Sequence, residues 1–158
     1  MTAVEHDPYL AARAGMNLAR FGNTRVIEGN GAVVSLGAAD IIYVNAGVTH
    51  SVSAWLDALA DGGRLIIPLT TDTNTRSFNS ISGLSFKIQR HGAGFEARAL
   101  LPTAIIPAEG VRAPSAEAAL AAAFTKGGWG NVTRLVRGSE AVPEDQCWVR
   151  GDGWCLAT

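Results

Sequence analysis

Two nearly continuous apolar runs, Asp40–Asn45 and Arg64–Leu69, constrain the fold of this chain more than any other feature. Apolar residues that do not alternate with polar ones are typical of a strand covered on both faces, as in a parallel sheet. The segment between them, Thr49–Leu59, has apolar residues at helical spacing, with Thr49 or Ser51 as a candidate cap. Strand, helix and strand in succession predict a doubly wound α/β sheet with the first run in its middle.

The same order of elements precedes these runs. Thr2–Glu5 has the character of a strand, and Asp7 followed by proline is typical of a helix start, so we predict a helix over residues 9–20. Thr24–Glu28 follows as a short strand, and the small residues Gly29–Gly31 allow a tight turn or the close approach of a ligand. Because domains rarely begin with a strand at their first residue, we expect that a preceding segment has been cut away.

The pattern changes after Pro68, which we interpret as the end of its strand because proline cannot donate to a ladder. Thr70–Ser82 is polar and predicts a surface loop or a partner-binding segment. Beyond it, Leu84–Arg90 alternates apolar with polar residues, His91–Gly94 can turn, and Phe95–Ile106 continues as extended chain. These three segments together predict an antiparallel hairpin at the edge of the sheet.

The carboxyl-terminal part of the chain combines a helix with short strands. Ser115–Phe124 is rich in alanine and predicts a helix with Ser115 as its cap, while Val132–Val136 and Cys147–Leu156 are interpreted as a hairpin. Three tryptophans here either line a pocket or pack in the core: Trp129, Trp148 and Trp154.

The cysteines and the net charge limit which partners and which cellular compartment the sequence allows. Cys147 and Cys155 lack the CxxC spacing of a metal or redox site, so we interpret both as reduced packing residues, with a disulfide across the terminal hairpin as the alternative. A net charge of −1 predicts neither nucleic acid nor a membrane surface as partner. Without a secretory signal or a membrane-spanning apolar stretch, the sequence predicts a cytoplasmic protein with no metal site.

Four motifs carry a resemblance to a known family. They are Val4–Pro8, Glu28–Gly31, Asp40–Gly47 and Asp61–Pro68. In this order they resemble the class I S-adenosylmethionine-dependent methyltransferases, and most closely the protein-L-isoaspartate O-methyltransferases. Two further segments resemble the edge hairpin of that family and its exit: Gly94–Arg98 and Ile106–Gly110. The resemblance covers residues 2–110.

The resemblance implies an α/β fold, an incomplete Rossmann-like methyltransferase sheet with an antiparallel edge hairpin. Residues 1–110 would form the truncated methyltransferase-like core, and residues 111–158 a helix-and-hairpin extension of the same domain. The family's first strand and its glycine-rich cofactor loop have no counterpart in this sequence. Since that strand lies between the second and fourth strands of the family, its loss leaves two unpaired edges, and we expect a homodimer that buries them.

The resemblance also implies residues that bind S-adenosylmethionine. Glu5 matches the acid that accepts both ribose hydroxyls, the alternative being an exposed acid at a helix start. Asn30 stands where the family has an aspartate against adenine, the alternative being an ordinary turn asparagine. The full set of expected cofactor-binding residues is Glu5, His6, Gly29, Asn30, Gly31, Ala32, Asn45 and Ala46.

The implied reaction is methyl transfer to an isoaspartyl or similar carboxylate of a protein or peptide. A carboxylate is already a nucleophile, so no catalytic residue is assigned. His50 is a candidate general base, the alternative being a position on the first turn of an exposed helix. Because the glycine-rich loop is missing, we expect weak or absent cofactor binding and impaired activity. The alternative function is a non-catalytic fragment of the methyltransferase fold that acts as a binding or dimerisation module.

Overall fold

A computed structural model describes residues 1–71, 82–138 and 142–158 of the chain. Its internal contacts divide the chain into two compact units, residues 1–37 and residues 38–158. Most of the predicted loop Thr70–Ser82 lies outside the described residues. The predicted division at residue 110 stays a prediction.

The first unit is a parallel two-stranded sheet with one helix. It comprises β1 (Thr2–Glu5), α1 (Pro8–Leu18) and β2 (Arg25–Glu28). The strands pair in parallel from Thr2 opposite Arg25 to Glu5 opposite Glu28. The Asp7 carboxylate accepts a hydrogen bond of 2.8 Å from the backbone N–H of Leu10, so the predicted cap is confirmed.

Helix α1 is less covered than its apolar pattern predicts. Ala11 is its one buried residue, whereas Leu10 is 46 % exposed and Phe21, just beyond the helix, is 45 % exposed. The spacing of apolar residues identified the helix correctly, but the apolar stripe is covered only in part, because Leu10 and Phe21 are exposed whereas Ala14 and Leu18 are half-buried.

The second unit is built on a seven-stranded sheet. Its strands are β3 (Ala39–Tyr43), β4 (Leu59–Thr70), β5 (Gly83–His91), β6 (Gly94–Pro102), β7 (Arg134–Arg137), β8 (Cys147–Gly151) and β9 (Trp154–Ala157). They lie in the order β3-β4-β5-β6-β7-β9-β8. Among the strands that the structure describes in this unit, only the β3–β4 pair is parallel, and the other pairs are antiparallel. The fold is therefore mixed α/β. The predicted antiparallel hairpin is confirmed as β5 and β6, although it lies within the sheet, between β4 and β7, and not at its edge.

Helices α2 (Ser53–Ala58) and α3 (Pro114–Lys126) accompany this sheet, with 3₁₀ turns at Trp129–Asn131 and Glu144–Gln146. None of the helices among the described residues is long and apolar enough to cross a membrane. Neither α2 nor α3 has a side-chain cap, so the predicted caps at Thr49, Ser51 and Ser115 are wrong. Thr49 and Ser51 are buried before α2 begins, where they cannot serve its N-terminus.

Strand β3 does not lie in the middle of its sheet, contrary to the prediction. Among the described residues it pairs only with β4, and Ile41 and Tyr43 are 54 % and 65 % exposed. The apolar run was assigned correctly to a strand, but a run of apolar residues does not reveal whether a second neighbour is present. Among the described residues, β3 therefore lies at one edge of the sheet.

Strand β4 continues past Pro68, so the predicted strand end is also wrong. The Pro68 carbonyl accepts a hydrogen bond of 3.0 Å from Val48 N–H, and Thr70 N–H donates to the Val48 carbonyl at 2.8 Å. On this side of β4, the hydrogen bonds of the ladder are made by the Pro68 carbonyl and the Thr70 N–H. The missing proline N–H therefore does not end the strand.

The core of the second unit lies on β4 and β5 and beneath α3. The fully buried side chains include Leu65, Ile67, Leu69, Leu84, Phe86, Ile88 and Leu120. The Trp148 ring lies 5.4 Å from that of Phe86 and 5.7 Å from that of Phe124, and its indole N–H donates to the Gly127 carbonyl at 3.0 Å. Burial of each such side chain contributes about 1.5–3 kcal/mol. Trp148 is therefore a packing residue that fixes α3 on the sheet.

The terminal strands correct the interpretation of the cysteines. Cys147 and Cys155 form a disulfide, with Cα atoms 6.1 Å apart, within a buried cluster that includes Val136 and Val142. The predicted hairpin is confirmed in part, because β7 pairs with β9, but the segment predicted as one strand turns back on itself as β8 and β9. This turn brings the two cysteines together, which their spacing in the sequence does not reveal.

Candidate functional site

The first unit presents an acidic side chain at the carboxyl end of its parallel pair. Glu5 is the last residue of β1, and its carbonyl accepts a hydrogen bond of 2.8 Å from the N–H of Gly29, which follows β2. One oxygen of the half-buried Glu5 carboxylate accepts from Asp7 N–H at 2.9 Å. A carboxylate offers about four lone-pair sites, so acceptor capacity remains for two neighbouring hydroxyls.

A glycine turn follows β2 beside this carboxylate. The Asn30 side-chain oxygen accepts from Ala32 N–H at 2.8 Å, so Asn30 does serve as a turn asparagine. Gly29 has a φ of 155°, and a Cβ there would lie 3.0 Å from the Val34 side chain. A Cβ on Gly31, in contrast, would meet nothing within 4 Å, which leaves room for a ligand to approach the backbone.

The second unit has its own candidate segment at the carboxyl end of β3. Asn45 is exposed and Ala46 half-buried, and the chain then enters the interior at Gly47. The Gly47 N–H donates to the Ile106 carbonyl, and Ala108 N–H donates to the Gly47 carbonyl, each at 2.8 Å. The segment 45–47 is therefore fixed against the chain that leaves the β5–β6 hairpin.

Buried polar side chains concentrate at this end of the second unit. Those recorded among the described residues are Thr49, Ser51, Thr70 and Thr71. They follow β3 or end β4, and the carboxyl ends of parallel strands are where open α/β sheets bind ligands. An apolar core disfavours polar groups, so their concentration here makes this end of the sheet the candidate site of the second unit.

Arg112 is a residue of this cluster that the sequence did not single out. One terminal nitrogen of its guanidinium donates to the Gly47 carbonyl at 3.1 Å and to the Thr70 hydroxyl at 3.0 Å. Gly47 is itself a position of close approach, because a Cβ there would overlap the Thr70 side chain. No sequence signal would have placed Arg112 in this cluster, since Gly47 and Thr70 are 65 and 42 residues away along the chain.

His50 lies beside the same cluster, before α2 rather than on an exposed first turn. Its Nδ1 is 3.1 Å from the Thr49 hydroxyl, and the residue is half-buried. Burial lowers the pKa of His50 below its usual 6.5 because desolvation disfavours the charged imidazolium. The imidazole is therefore mainly neutral at pH 7.

The predicted cofactor residues fall into two groups. The strand end and glycine turn of the first unit bring together Glu5, His6, Gly29, Asn30, Gly31 and Ala32, with His6 exposed between β1 and α1. Asn45 and Ala46 belong to the second unit. All eight stay predictions as cofactor ligands.

Comparison with known proteins decides the family. The model of the family protein-L-isoaspartate (D-aspartate) O-methyltransferase matches residues 1–91. The chain belongs to this family. The four motifs of the resemblance lie within those residues, whereas the two segments Gly94–Arg98 and Ile106–Gly110 lie beyond them.

Two solved structures resemble this member of the protein-L-isoaspartate methyltransferase family. One is a protein-L-isoaspartate O-methyltransferase with 25 % sequence identity and a TM-score of 0.60, and the match covers 69 % of this chain and 34 % of that one. The other is a Plasmodium falciparum protein assigned as the same enzyme, in complex with S-adenosyl-L-homocysteine, and it shows the same fold at 21 % identity. Its TM-score is 0.54, with coverage of 67 % of this chain and 50 % of that one.

No curated protein matches the chain. The chain thus spans a third to a half of the length of the two solved relatives.

Proposed function

We propose that this chain takes part in the transfer of a methyl group from S-adenosylmethionine to an isoaspartyl or similar carboxylate of a protein or peptide. The observation that supports this most directly is the position of Glu5 at the end of β1, where its carbonyl accepts a hydrogen bond from Gly29 N–H at the start of the glycine turn, within the residues that match the family. A carboxylate at a strand end, next to a partly exposed glycine turn, is suited to the ribose hydroxyls and the base of a nucleoside.

The residues present fit the nucleoside half of this cofactor. When bound, S-adenosylmethionine supplies a methyl group on a sulfonium centre, which a carboxylate oxygen attacks directly. In the proposed site Glu5 accepts the ribose hydroxyls, and the lack of a side chain on Gly31 leaves space for the adenine. Asn45 and Ala46 are the proposed cofactor residues of the second unit. No general base is required, so His50 has no assigned role in proton transfer.

We expect the affinity for the cofactor to be weak and the activity of the chain to be low. Binding the amino-acid end calls for a glycine-rich loop between a buried strand and a helix. Residues 1–71, 82–138 and 142–158 contain no such loop. The run Gly127–Gly130 instead follows α3 and leads into a 3₁₀ turn. The nucleoside contacts are then the main source of binding energy.

Calorimetric titration of S-adenosylhomocysteine tests this proposal. Glu5→Gln removes the charge that accepts the ribose hydroxyls and is expected to weaken binding about tenfold or more. Glu28→Gln is the matched control, because Glu28 is the register partner of Glu5 on β2 and carries the same charge. Equal affinity of the wild-type chain and the Glu5 variant would contradict the assignment, as would an absence of heat at millimolar ligand.

A second candidate function, a dimerisation module, is supported by a separate observation. Strand β3 has an unpaired edge among the described residues and exposes Ile41 and Tyr43 on one face. Apolar strand edges of this kind promote pairing with another chain. We propose a homodimer that covers this edge. Light scattering coupled to size-exclusion chromatography should show a dimer for the wild-type chain and a monomer for Ile41→Lys, and a monomeric wild type would refute the dimer.

The proposed location is the cytoplasm, where disulfides are rare. If it is correct, Cys147 and Cys155 are mostly thiols in the cell and the bond forms on oxidation. Alkylation of thiols at the moment of cell lysis, followed by mass spectrometry, measures the reduced fraction. A fully oxidised pair at lysis would argue for an oxidising compartment.

A further inference from the structure

Arg112 lies at the meeting point of three separate segments of the second unit. One terminal nitrogen binds the Gly47 carbonyl and the Thr70 hydroxyl, and the other donates to the Thr70 carbonyl and to the Glu117 carboxylate, each at 3.2 Å. Gly47 follows β3, Thr70 ends β4, and Glu117 is in the first turn of α3. A single guanidinium therefore connects the ends of two strands to a helix.

The environment of Arg112 makes these contacts strong. Its side chain is 12 % exposed and that of Glu117 is 25 % exposed, so the ion pair is largely shielded from water. Hydrogen bonds from a charged donor are about twice as strong as neutral ones, and they are stronger still where water is excluded. A planar guanidinium can bind several acceptors at fixed angles, which a lysine ammonium cannot reproduce.

These contacts hold the backbone next to Asn45 and Ala46. Gly47 is closely packed on Thr70, because a Cβ on Gly47 would overlap the Thr70 side chain, and Arg112 binds both residues. The start of helix α3 is attached to this region by a second contact besides the Arg112–Glu117 pair, because Ala113 N–H donates to the Thr49 hydroxyl at 3.0 Å. The turn after β3 is thus fixed by the side chains of Arg112 and Glu117 and by the N–H of Ala113. These three residues lie outside the residues that match the family.

We propose that Arg112 is a positioning residue for the turn formed by residues 45–47, and that Glu117 couples helix α3 to this turn through Arg112. The consequence for cofactor binding rests on the proposed function, in which Asn45 and Ala46 contact S-adenosylmethionine. The positioning itself does not depend on any ligand.

Hydrogen exchange of individual amides tests the positioning without a ligand. In Arg112→Gln, the amides of Gly47 and Ala108 are expected to exchange about tenfold faster, because the charged donor that holds the Gly47 carbonyl is lost. The amide of Ala97, which donates to the Thr133 carbonyl in another part of the sheet, serves as the internal reference and should not change. A uniform increase at all three amides would indicate general destabilisation and overturn the proposal.

Arg137→Gln is the matched control. Arg137 forms an ion pair of 2.6 Å with Asp57, so this variant removes an arginine and an ion pair from the same unit. It should leave the exchange of Gly47 and Ala108 unchanged. If Arg112→Gln does not fold, Glu117→Gln provides a milder perturbation, for which a smaller increase confined to Gly47 and Ala108 is expected. No change in the Glu117 variant would refute the coupling through α3.

Titration with S-adenosylhomocysteine then tests the consequence for binding. If the wild-type chain binds, Arg112→Gln is expected to raise the dissociation constant about tenfold, whereas Arg137→Gln leaves it unchanged. If the wild-type chain does not bind, the proposed function fails, and the exchange data alone decide the role of Arg112. Faster exchange at Gly47 with unchanged affinity would overturn the link between this turn and the cofactor.

Discussion

Loss of the bond between Cys147 and Cys155 should lower the free energy of unfolding by about 2.5 kcal/mol. The two cysteines are 8 residues apart, and the entropy of closing a loop of that length in the unfolded chain sets this magnitude. The loss affects more than the hairpin itself. Strands β8 and β9 carry Trp148 and the buried Leu156, so the terminal hairpin shares its core with β5 and α3.

Urea unfolding followed by tryptophan fluorescence measures this loss. The oxidised chain is compared with the chain in a phosphine reductant and with a variant in which both cysteines are alanine. A decrease of about 2.5 kcal/mol corresponds to a midpoint lower by about 1–2 M urea. The reductant should not move the midpoint of the double variant, which controls for effects of the reductant on the rest of the protein.

Two results would refute the reasoning. Equal midpoints for the oxidised and reduced chains would mean that the closed loop does not constrain the unfolded state. Two alkylated cysteines in chain that has been denatured without reductant would mean that the bond is not formed at all. In the second case the original interpretation, two reduced packing residues, would be restored.

Three further predictions concern single side chains. Phe86→Ala should cost about 3–5 kcal/mol of unfolding free energy, because the fully buried ring contacts Trp148, and thermal unfolding measures it. Because burial lowers the pKa of His50, the unfolded chain binds the proton more tightly, so stability should fall as the pH drops below 6.5 and be insensitive to His50 above it. Urea midpoints across this range should depend less on pH in His50→Gln, and an unchanged slope would contradict the assignment. Asp57→Asn should cost less than about 1 kcal/mol in the same assay, because the ion pair that lowers the pKa of Asp57 is exposed.

Features determined by neighbouring residues were predictable from the sequence. The Asp7 cap depends on the N–H of Leu10, three residues away, and the alternation in Leu84–Arg90 reflects the two faces of β5. In these two cases the interacting groups lie within a few residues, where spacing determines geometry. Glu5 and the glycine turn were identified differently, by the resemblance to the methyltransferase family, and each lies at the end of a short strand.

Features that depend on distant contacts were not predictable. Arg112 has its role because Gly47 and Thr70, 65 and 42 residues earlier, come together at one end of the sheet. The disulfide depends on β8 turning back beside β9, and the buried Thr49 hydroxyl accepts a hydrogen bond from Ala113 N–H, 64 residues later in the chain. Local propensity does not contain this information, since tertiary packing decides it.

Strand β3 shows that an apolar pattern indicates which environment favours a strand, but not the environment that the strand has in the fold. Its run of apolar residues is typical of a strand covered on both faces, yet Ile41 and Tyr43 are exposed and one edge is unpaired among the described residues. The mismatch between pattern and environment is informative, because uncovered apolar surface and unpaired backbone groups both carry a free-energy cost in water. A chain that keeps such a strand therefore gains stability from any partner that covers it, which is why the oligomeric state and the cofactor affinity should be measured on the same preparation.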